Sequence, residues 1–357
     1  MIYLDNAATT EPYKEALEAF LKAPWGNPSS DHQIGLSASD ELERVRQLIK
    51  DYVRCSTGTV IFNSGATEGN NQVINSFNRL ITSEIEHPSV LKAKDKEKII
   101  RIPVDEGGIL RLDELYKAVN NSYGLVSVQA VNAETGTIQF LEAIGRICEQ
   151  NDTFFHVDAT QAMGFDLINI EEQKIDFLTF SAHKFHGVKG VGCLVARNEL
   201  ALDKLLKGGS QEFGLRAGTQ NVPGIVAMGT ALEKTRKAAW KHVGVLRTLF
   251  ETEILNSIPD TEVNGSNMLR VPTITNILFR GCRGEQMVEM LSGKGICVSS
   301  GSACSLGEPS YVLQALGRTE EEAGQSLRFS LSEFTTEEEL KYTIEKLKET
   351  AKYLRGI

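Results

Sequence analysis

Short apolar runs alternate with helical patterns along the first two thirds of the chain. Several runs are apolar at consecutive positions, which is typical of strands that are buried on both faces. The strand candidates are 60–63, 80–83, 99–104, 125–131, 154–158, 177–181 and 192–196. Apolar residues elsewhere recur every three or four positions, as at Leu42, Val45 and Ile49. Strands that alternate with helices predict an α/β domain with a mostly parallel sheet.

The pattern changes near Thr235, where a long helical stretch is predicted to run to about Leu255. Shorter strand candidates follow at 276–280, 297–299 and 327–330. The chain closes on an amphipathic helical pattern. Thr336 followed by Glu339 is typical of a capping box at its start. This part of the chain predicts a smaller α+β domain.

Composition and charge exclude several classes of protein. The chain has 357 residues and a formal net charge of −9, which argues against direct binding of nucleic acid. No stretch approaches the roughly 18 apolar residues of a membrane helix, and the start MIYLDNAATT does not resemble a signal peptide. The six cysteines form no C-x-x-C pair, so we expect reduced thiols, no zinc site and a cytoplasmic location.

The segment 64–71, with the sequence SGATEGNN, follows the first strand candidate. Its small residues let backbone N–H groups approach a ligand, and a helix that starts here favours an anion such as phosphate. An ordinary helix start capped by Ser64 is the alternative. The segment is neither a P-loop nor a dinucleotide-binding motif.

Two other strand candidates end in residues that suit cofactor chemistry. Asp158 lies at a strand end, where it either holds a protonated ring nitrogen or caps the next helix. Lys184 follows the strand 177–181, and a lysine that is partly desolvated in a cleft is a Schiff-base nucleophile, although most lysines are simply solvated. His183 and His186 lack a third ligand in the pattern, so no metal site is predicted.

Three further residues carry candidate chemistry. His87 lies in a turn after a strand, where it either stacks on a planar ring and moves protons or has no role. Arg328 lies on a short apolar strand and needs an anion, either a substrate carboxylate or a structural ion pair. Cys304 lies among small, polar, turn-forming residues, which suits a reactive thiol, and an incidental surface cysteine is the alternative.

Together these segments resemble the cysteine desulfurases of the IscS/NifS type, in the class V aminotransferase group of fold-type-I pyridoxal-phosphate enzymes. The similarity runs nearly end to end. The matching segments are 3–10, 26–30, 64–68, 156–161, 181–184, 216–219, 299–304 and 328–330. The resemblance implies a large domain around a seven-stranded sheet, which we expect over residues 15–240. Residues 1–14 and 241–357 would form the small domain that carries Cys304.

The resemblance also implies roles for the matching residues. Lys184 would hold pyridoxal 5'-phosphate, Asp158 would pair with its ring nitrogen, and His87 would stack on the ring and move protons. Cys304 would take the sulfur as a persulfide, and Arg328 would bind the substrate carboxylate. Asn27 is a second candidate for that carboxylate. The other expected cofactor-binding residues are Gly65, Ala66, Thr67, Gln161, Ser181, His183 and Thr219.

The implied reaction converts L-cysteine to L-alanine and hands sulfur to an acceptor protein, such as an iron–sulfur scaffold or a transfer-RNA thiolation enzyme. Thr219 reaches the cofactor phosphate of the partner subunit in this family, which implies a homodimer. Another class V activity, aminotransferase or selenocysteine lyase, is an alternative. A weakly catalytic sulfur carrier is another.

The sequence departs from the family pattern at three places. Ala133 stands where the family has an asparagine that bonds the ring hydroxyl, so this contact is expected to fall to Gln161 or to water. The segment after Cys304 is shorter than in the IscS group. The chain ends at Ile357, soon after the last helical pattern, so we do not expect the longer tail with which some relatives dock a scaffold.

Overall fold

The structure is a computed structural model of the whole chain. It describes residues 1–119, 124–197, 199–236, 238, 240–265, 269–301 and 309–356. Cys304, a central residue of the sequence analysis, lies outside the described residues.

The described residues form strands and helices that follow one another along the chain. The strands are β1 (Ile2–Tyr3), β2 (Thr59–Asn63), β3 (Leu80–Ser83), β4 (Ile99–Ile102), β5 (Leu125–Gln129), β6 (Phe154–Asp158), β7 (Phe177–Ser181), β8 (Gly192–Ala196), β9 (Thr261–Asn264), β10 (Ile274–Phe279), β11 (Ile296–Cys297) and β12 (Ser326–Ser330). The helices are α1 (Lys14–Lys22), α2 (Gln33–Val53), α3 (Ala66–Asn75), α4 (Pro88–Leu91), α5 (Leu112–Ala118), α6 (Leu141–Gln150), α7 (Val222–Thr235), α8 (Trp240–Ser257), α9 (Gly284–Ser292), α10 (Tyr311–Ala315), α11 (Glu320–Gly324) and α12 (Glu337–Arg355).

A seven-stranded sheet organises the larger part of the molecule, in the order β2-β8-β7-β6-β5-β3-β4. Neighbouring strands from β7 to β4 are parallel, whereas β8 is antiparallel to both β2 and β7. The seven strand candidates of the sequence are these strands, so the predicted α/β fold with a mostly parallel sheet is confirmed. Two candidates were too long, because Val104 and Val131 leave the sheet and form isolated bridges with Leu110 and Ile138.

A second sheet, β12-β10-β9, is antiparallel, and β1 pairs with β11 beside it. The helix predicted from Thr235 to about Leu255 is present as α8, but its predicted start was wrong, because Thr235 ends α7 and Trp240 begins α8. The buried hydroxyl of Thr235 donates to the carbonyl oxygen of Phe185, which anchors this end of α7. Helix α7 was missed because most of its residues are apolar and buried, which leaves no amphipathic pattern.

The last helix, α12, begins as the sequence predicted. The Thr336 hydroxyl accepts from the backbone N–H of Glu339, and the Glu339 carboxylate accepts from that of Thr336, which makes a complete capping box. The helix ends at Gly356, whose φ of 69° is left-handed and suits glycine.

In the described residues, buried apolar side chains form two main groups and two smaller ones. The larger main group packs on one face of the seven-stranded sheet and includes Phe155, Phe180 and Met228. A smaller group, which includes Phe177 and Leu194, packs on the opposite face.

The second main group surrounds the antiparallel sheet. It includes Leu4 together with Phe329 and Leu347, so both ends of the chain contribute to it. None of the helices in the described part of the chain has the length and apolar character that crossing a bilayer requires.

Candidate active site

Polar residues gather where the parallel strands of the large sheet end. Strand β6 ends at Asp158, β7 runs through Ser181 into the turn that carries Lys184, and β3 leads to His87. Carboxyl ends of parallel strands meet at one edge of a sheet, where open α/β folds bind ligands. The structure therefore brings these sequence-predicted residues to the same edge.

The Asp158 carboxylate is buried, with 6% of the residue exposed, and both of its oxygens accept hydrogen bonds. Asn70 Nδ2 donates to Oδ2 at 2.8 Å, and the backbone N–H of Thr160 donates to Oδ1 at 3.0 Å. The chain continues from Asp158 into turns, so this aspartate does not cap a following helix. Its carboxylate is held in one orientation at the strand end.

The Lys184 ammonium group contacts the chain's N-terminal segment. Its Nζ donates to the carbonyl oxygens of Ala7 at 2.6 Å and Ala8 at 2.9 Å. Gln161 Nε2 donates to the same Ala7 oxygen at 2.8 Å. Lys184 is thus a half-buried, oriented amine rather than a solvated surface lysine, and the segment that orients it carried no assigned role in the sequence analysis.

A backbone turn beside Lys184 has the geometry of an anion site. Gly65 has a φ of 147°, and a Cβ atom there would lie 3.0 Å from Ser181 Oγ. The backbone N–H of Ala66 donates to the same Oγ at 2.7 Å. Gly65 rather than Ser64 is the N-cap of α3, and it makes no side-chain cap, so the alternative of a helix capped by Ser64 is wrong. The positive end of α3 faces this turn, with Thr67 in its first helical turn.

Two histidines at this edge are held in the neutral form. Burial first, and then the positive charges of Lys184 and Lys189, lower the pKa of His183 to about 4. Burial also lowers the pKa of His87; Lys184 adds to that effect, whereas Asp158 opposes it. The side chain of His87 keeps an exposed part, which leaves room for a planar group to stack on it.

Arg328 lies on β12 and is buried, with 2% of the residue exposed. Its Nη2 donates to Asp5 Oδ1 at 2.7 Å, and its Nη1 donates to the carbonyl oxygen of Ala133 at 3.1 Å. Its Nε is buried without a hydrogen-bond partner. Arg328 thus has the structural ion pair that the sequence left open as an alternative, and it keeps one unsatisfied donor for another anion.

A family model decides between the classes of protein that this geometry allows. The model for class-V aminotransferases matches residues 2–343. The chain belongs to this family. The cysteine desulfurase IscS of Dictyoglomus turgidum is 38% identical over 377 residues, covering 100% of this chain and 96% of that protein. The mitochondrial cysteine desulfurase of Candida maltosa is 40% identical and covers 99% of this chain and 78% of its own length.

Solved structures agree with this family. The NifS-like protein from Rickettsia africae superposes with a TM-score of 0.91 at 30% identity, covering 100% of both chains. A structure described as SspA in complex with cysteine has a TM-score of 0.82 at 29% identity and covers 94% of this chain and 100% of its own. The chain is therefore a class-V enzyme of the cysteine desulfurase group with a fold-type-I architecture, and the cofactor of this group is pyridoxal 5'-phosphate.

The described residues of this class-V enzyme fit that cofactor. An oriented lysine amine, a buried carboxylate and a helix N-terminus suit its aldehyde, its ring nitrogen and its phosphate, respectively. The backbone N–H of Thr160 donates to Asp158, but the hydroxyl of the same threonine is buried without a hydrogen-bond partner. A polar group left unsatisfied at this edge is consistent with a site that is completed by a ligand.

Other residues expected from the sequence lie away from these contacts or outside the described part. Thr219 is exposed in the loop before α7. Asn27 lies in an exposed turn, where its Oδ1 accepts from the backbone N–H of Ser29 at 3.0 Å. The roles of Thr219, Asn27 and Cys304 therefore stay predictions.

The sequence analysis missed a buried carboxyl group beside the catalytic candidates. Glu86, next to His87, is fully buried, and its Oε2 accepts from the backbone N–H of Gln129 at 2.7 Å. Burial, and then the charge of Asp158, raises the pKa of Glu86 to about 8, so this carboxyl is largely neutral near pH 7. Its place directly before His87 was the signal that was available in the sequence.

Proposed function

We propose that the chain is an L-cysteine desulfurase that releases L-alanine and stores the sulfur as a persulfide on Cys304. The oriented amine of Lys184, at the same sheet edge as the buried Asp158 carboxylate, carries this proposal. The similarity to cysteine desulfurases over the full chain supports the choice of substrate.

The chain's own residues would divide the work. When bound, the cofactor supplies an electron sink for charge that develops at the substrate Cα. Lys184 holds the cofactor and takes the Cα proton at its Nζ. The Asp158 carboxylate would pair with the ring nitrogen, and Asn70 and Thr160 hold it in one orientation by donating to its two oxygens.

Arg328 would orient the substrate by its carboxylate, since a planar guanidinium group matches two carboxylate oxygens. The Cys304 thiolate then attacks the substrate sulfur. A sulfur–sulfur bond forms, the carbon–sulfur bond breaks, and its electron pair stays on Cβ. Protonation of Cβ and return of the proton from Lys184 Nζ to Cα would then give alanine. The thiolate form is required because the neutral thiol is a poor nucleophile.

We extend the proposal to the assembly. Leu21 on α1, Trp25 in the following turn and Leu36 on α2 expose large apolar side chains, which supports contact with a second copy. Trp25→Glu is expected to shift the sedimentation mass from about twice 39.3 kDa toward the single chain. Tyr353→Glu, at another exposed aromatic residue, is the matched control. A wild type that sediments as a single chain would exclude the homodimer.

Three further points stay proposals. The division into a domain of residues 15–240 and a domain of residues 1–14 with 241–357 is supported by the apolar group around the antiparallel sheet, whose buried members all lie in the second of these domains. A protein acceptor for the persulfide sulfur, either an iron–sulfur scaffold or a thiolation enzyme, is supported by the family. The cytoplasmic location remains a prediction from the sequence.

The test of the proposed function is a product assay. The purified protein is incubated with pyridoxal 5'-phosphate, L-cysteine and a thiol reductant, and alanine and sulfide are measured. We expect equal amounts of both, whereas pyruvate and ammonia would contradict the proposal. Cys304→Ala is expected to lose turnover. Cys297→Ala, at a partly exposed cysteine, is the control. Full turnover by Cys304→Ala would favour another class V activity, such as selenocysteine lyase.

A further inference from the structure

We propose that Asn70 is a positioning residue that fixes, through one directed chain of hydrogen bonds, both the Asp158 carboxylate and the proton on the His87 ring. This inference rests on the proposed function, because Asp158 and His87 matter as the residues that hold and cover the cofactor ring. Asn70 lies on α3 with none of its surface exposed. It belongs to no role that the sequence or the family resemblance assigned.

The orientation of the Asn70 amide follows from its neighbours. Its Nδ2 lies 2.8 Å from Asp158 Oδ2 and 2.9 Å from Ser89 Oγ. An ionised carboxylate only accepts hydrogen bonds, so the NH₂ group of the amide faces Asp158. The two N–H donors of one amide group therefore serve Asp158 and Ser89 at the same time.

The amide oxygen receives its own hydrogen bond from the sheet. The Thr179 hydroxyl on β7 donates to Asn70 Oδ1, so Thr179 Oγ1 is left to accept from His156 Nε2, at 3.2 Å. His156 Nδ1 then accepts from the Ser127 hydroxyl at 2.8 Å. Burial lowers the pKa of His156 to about 4, with Asp158 opposing, which keeps the ring neutral. Because Nδ1 accepts from Ser127, the single proton of this neutral ring lies on Nε2.

On its other side the chain reaches His87. Ser89 Oγ accepts from Asn70, and its hydroxyl hydrogen is left to donate to His87 Nδ1, at 2.8 Å. The backbone N–H of Ser89 points to the same Nδ1 at 3.1 Å. Because Nδ1 is the acceptor of both, the proton of a neutral His87 lies on Nε2.

These hydrogen bonds thus all run in one direction, from Ser127 through His156 and Thr179 to Asn70. Asn70 then donates to Asp158 and Ser89, and Ser89 donates to His87. This series of hydrogen bonds joins residues of β5, β6, β7 and α3 to His87 and Ser89 at the start of α4. Buried polar chains stabilise a unique arrangement only when all members are satisfied, and breaking one link leaves costly unpaired groups. Asn70 donates to both Asp158 and Ser89, so its loss disturbs the Asp158 carboxylate and the His87 imidazole together.

Asn70→Asp tests this inference, because it keeps the shape of the side chain and removes both N–H donors. Two adjacent carboxylates share a proton, which weakens the charge at Asp158, and the Ser89 hydroxyl turns to the new carboxylate. We expect kcat for alanine formation to fall about tenfold to a hundredfold, as for residues that orient metal-binding histidines, with KM for cysteine changed by less than about threefold. Asn75→Asp, at an exposed position of the same helix, is the control.

Long-range ¹H–¹⁵N spectra of histidine-labelled protein, with and without cofactor, give a readout that does not depend on turnover. In the wild type we expect His87 and His156 to carry their protons on Nε2, and in Asn70→Asp we expect His87 to become a mixture of both tautomers. A wild-type His87 protonated on Nδ1 would overturn the inference. Wild-type kcat and an unchanged His87 tautomer in Asn70→Asp would overturn it as well.

Thr179→Val keeps the inference testable if Asn70→Asp does not fold, because it removes only the hydroxyl. His156 is then expected to lose its preference for Nε2, and kcat is expected to fall severalfold. Unchanged kcat and an unchanged His156 tautomer would contradict the inference. Alanine formation by the wild type tests the proposed function separately, so failure of one is distinguishable from failure of the other.

Discussion

The proposed cofactor side and the proposed substrate side of this site are built differently. On the cofactor side, both oxygens of Asp158 and the amine of Lys184 already have partners, and these lie on the large sheet or against it. On the substrate side, Arg328 forms an ion pair with Asp5, and its buried Nε has no hydrogen-bond partner. The residues of the second side come from both chain ends.

This difference follows from what each side must do. A resident cofactor favours rigid groups that are positioned before it binds, since reorganisation would cost binding energy. A substrate carboxylate comes and goes, so its arginine needs another anion in the meantime, because an unpaired buried charge is costly. Asp5 supplies that anion in the described structure.

The largest expected effect is on the cofactor side. Lys184→Ala removes the amine that lies on Ala7 and Ala8, so turnover is expected to fall by about a thousandfold or more. The measurement is alanine formation together with the cofactor absorbance band after gel filtration. Lys189→Ala, at an exposed lysine nearby, should keep both. Retained activity in Lys184→Ala would contradict the proposal that Lys184 holds the cofactor.

A smaller and more selective effect is expected on the substrate side. Arg328→Lys keeps the charge that pairs with Asp5 and loses the planar fork, so KM for cysteine should rise about tenfold while kcat changes less. Steady-state kinetics over a range of cysteine concentrations measure the two constants. Arg280→Lys, at a half-exposed ion pair, is the control. An unchanged KM would mean that Arg328 serves only the ion pair with Asp5.

The last expected effect is on stability rather than on turnover and concerns the buried Glu86. Because its pKa is raised from 4.5 to about 8, the folded protein keeps a proton that the unfolded chain releases. The free energy of unfolding should therefore fall by about 1.4 kcal/mol per pH unit between these values, relative to Glu86→Gln. This contribution is complete below pH 4.5 and lost as the pH rises through about 8.

Denaturant titrations of cofactor-free protein across this pH range measure that slope. Glu106→Gln, at an exposed position, should follow the wild type. Equal pH dependence of the wild type and Glu86→Gln would show that Glu86 is ionised in the folded protein, and the cofactor side would then hold two buried carboxylates instead of one.

Much of the fold followed from apolar patterns. The strands of the large sheet were predictable because burial on both faces requires consecutive apolar residues, and α12 was predictable from its capping box. Helix α7 was not, because a helix buried on most sides shows no period. The reading of Thr235 as a helix start failed for the same reason.

The sequence predicted site residues whose neighbours along the chain already suggest their chemistry. It did not predict residues whose roles depend on partners far away along the chain. Asp158 and Lys184 stand out because they come where apolar strands end. Asn70 does not, because a polar residue in a helix is ordinary until its partners are known. Its partners lie 19, 88 and 109 residues away along the chain. The pairing of Arg328 with Asp5 spans 323 residues, which no local pattern reveals.

The central claim is that this enzyme takes sulfur from cysteine onto Cys304. Mass spectrometry of the holoenzyme after brief exposure to L-cysteine, followed by peptide mapping without reductant, tests it most directly. The account predicts a gain of one sulfur atom on the peptide that contains Cys304, absent from Cys304→Ala and from Lys184→Ala. Alanine release with no added sulfur on that peptide, or the sulfur on another cysteine, would contradict it.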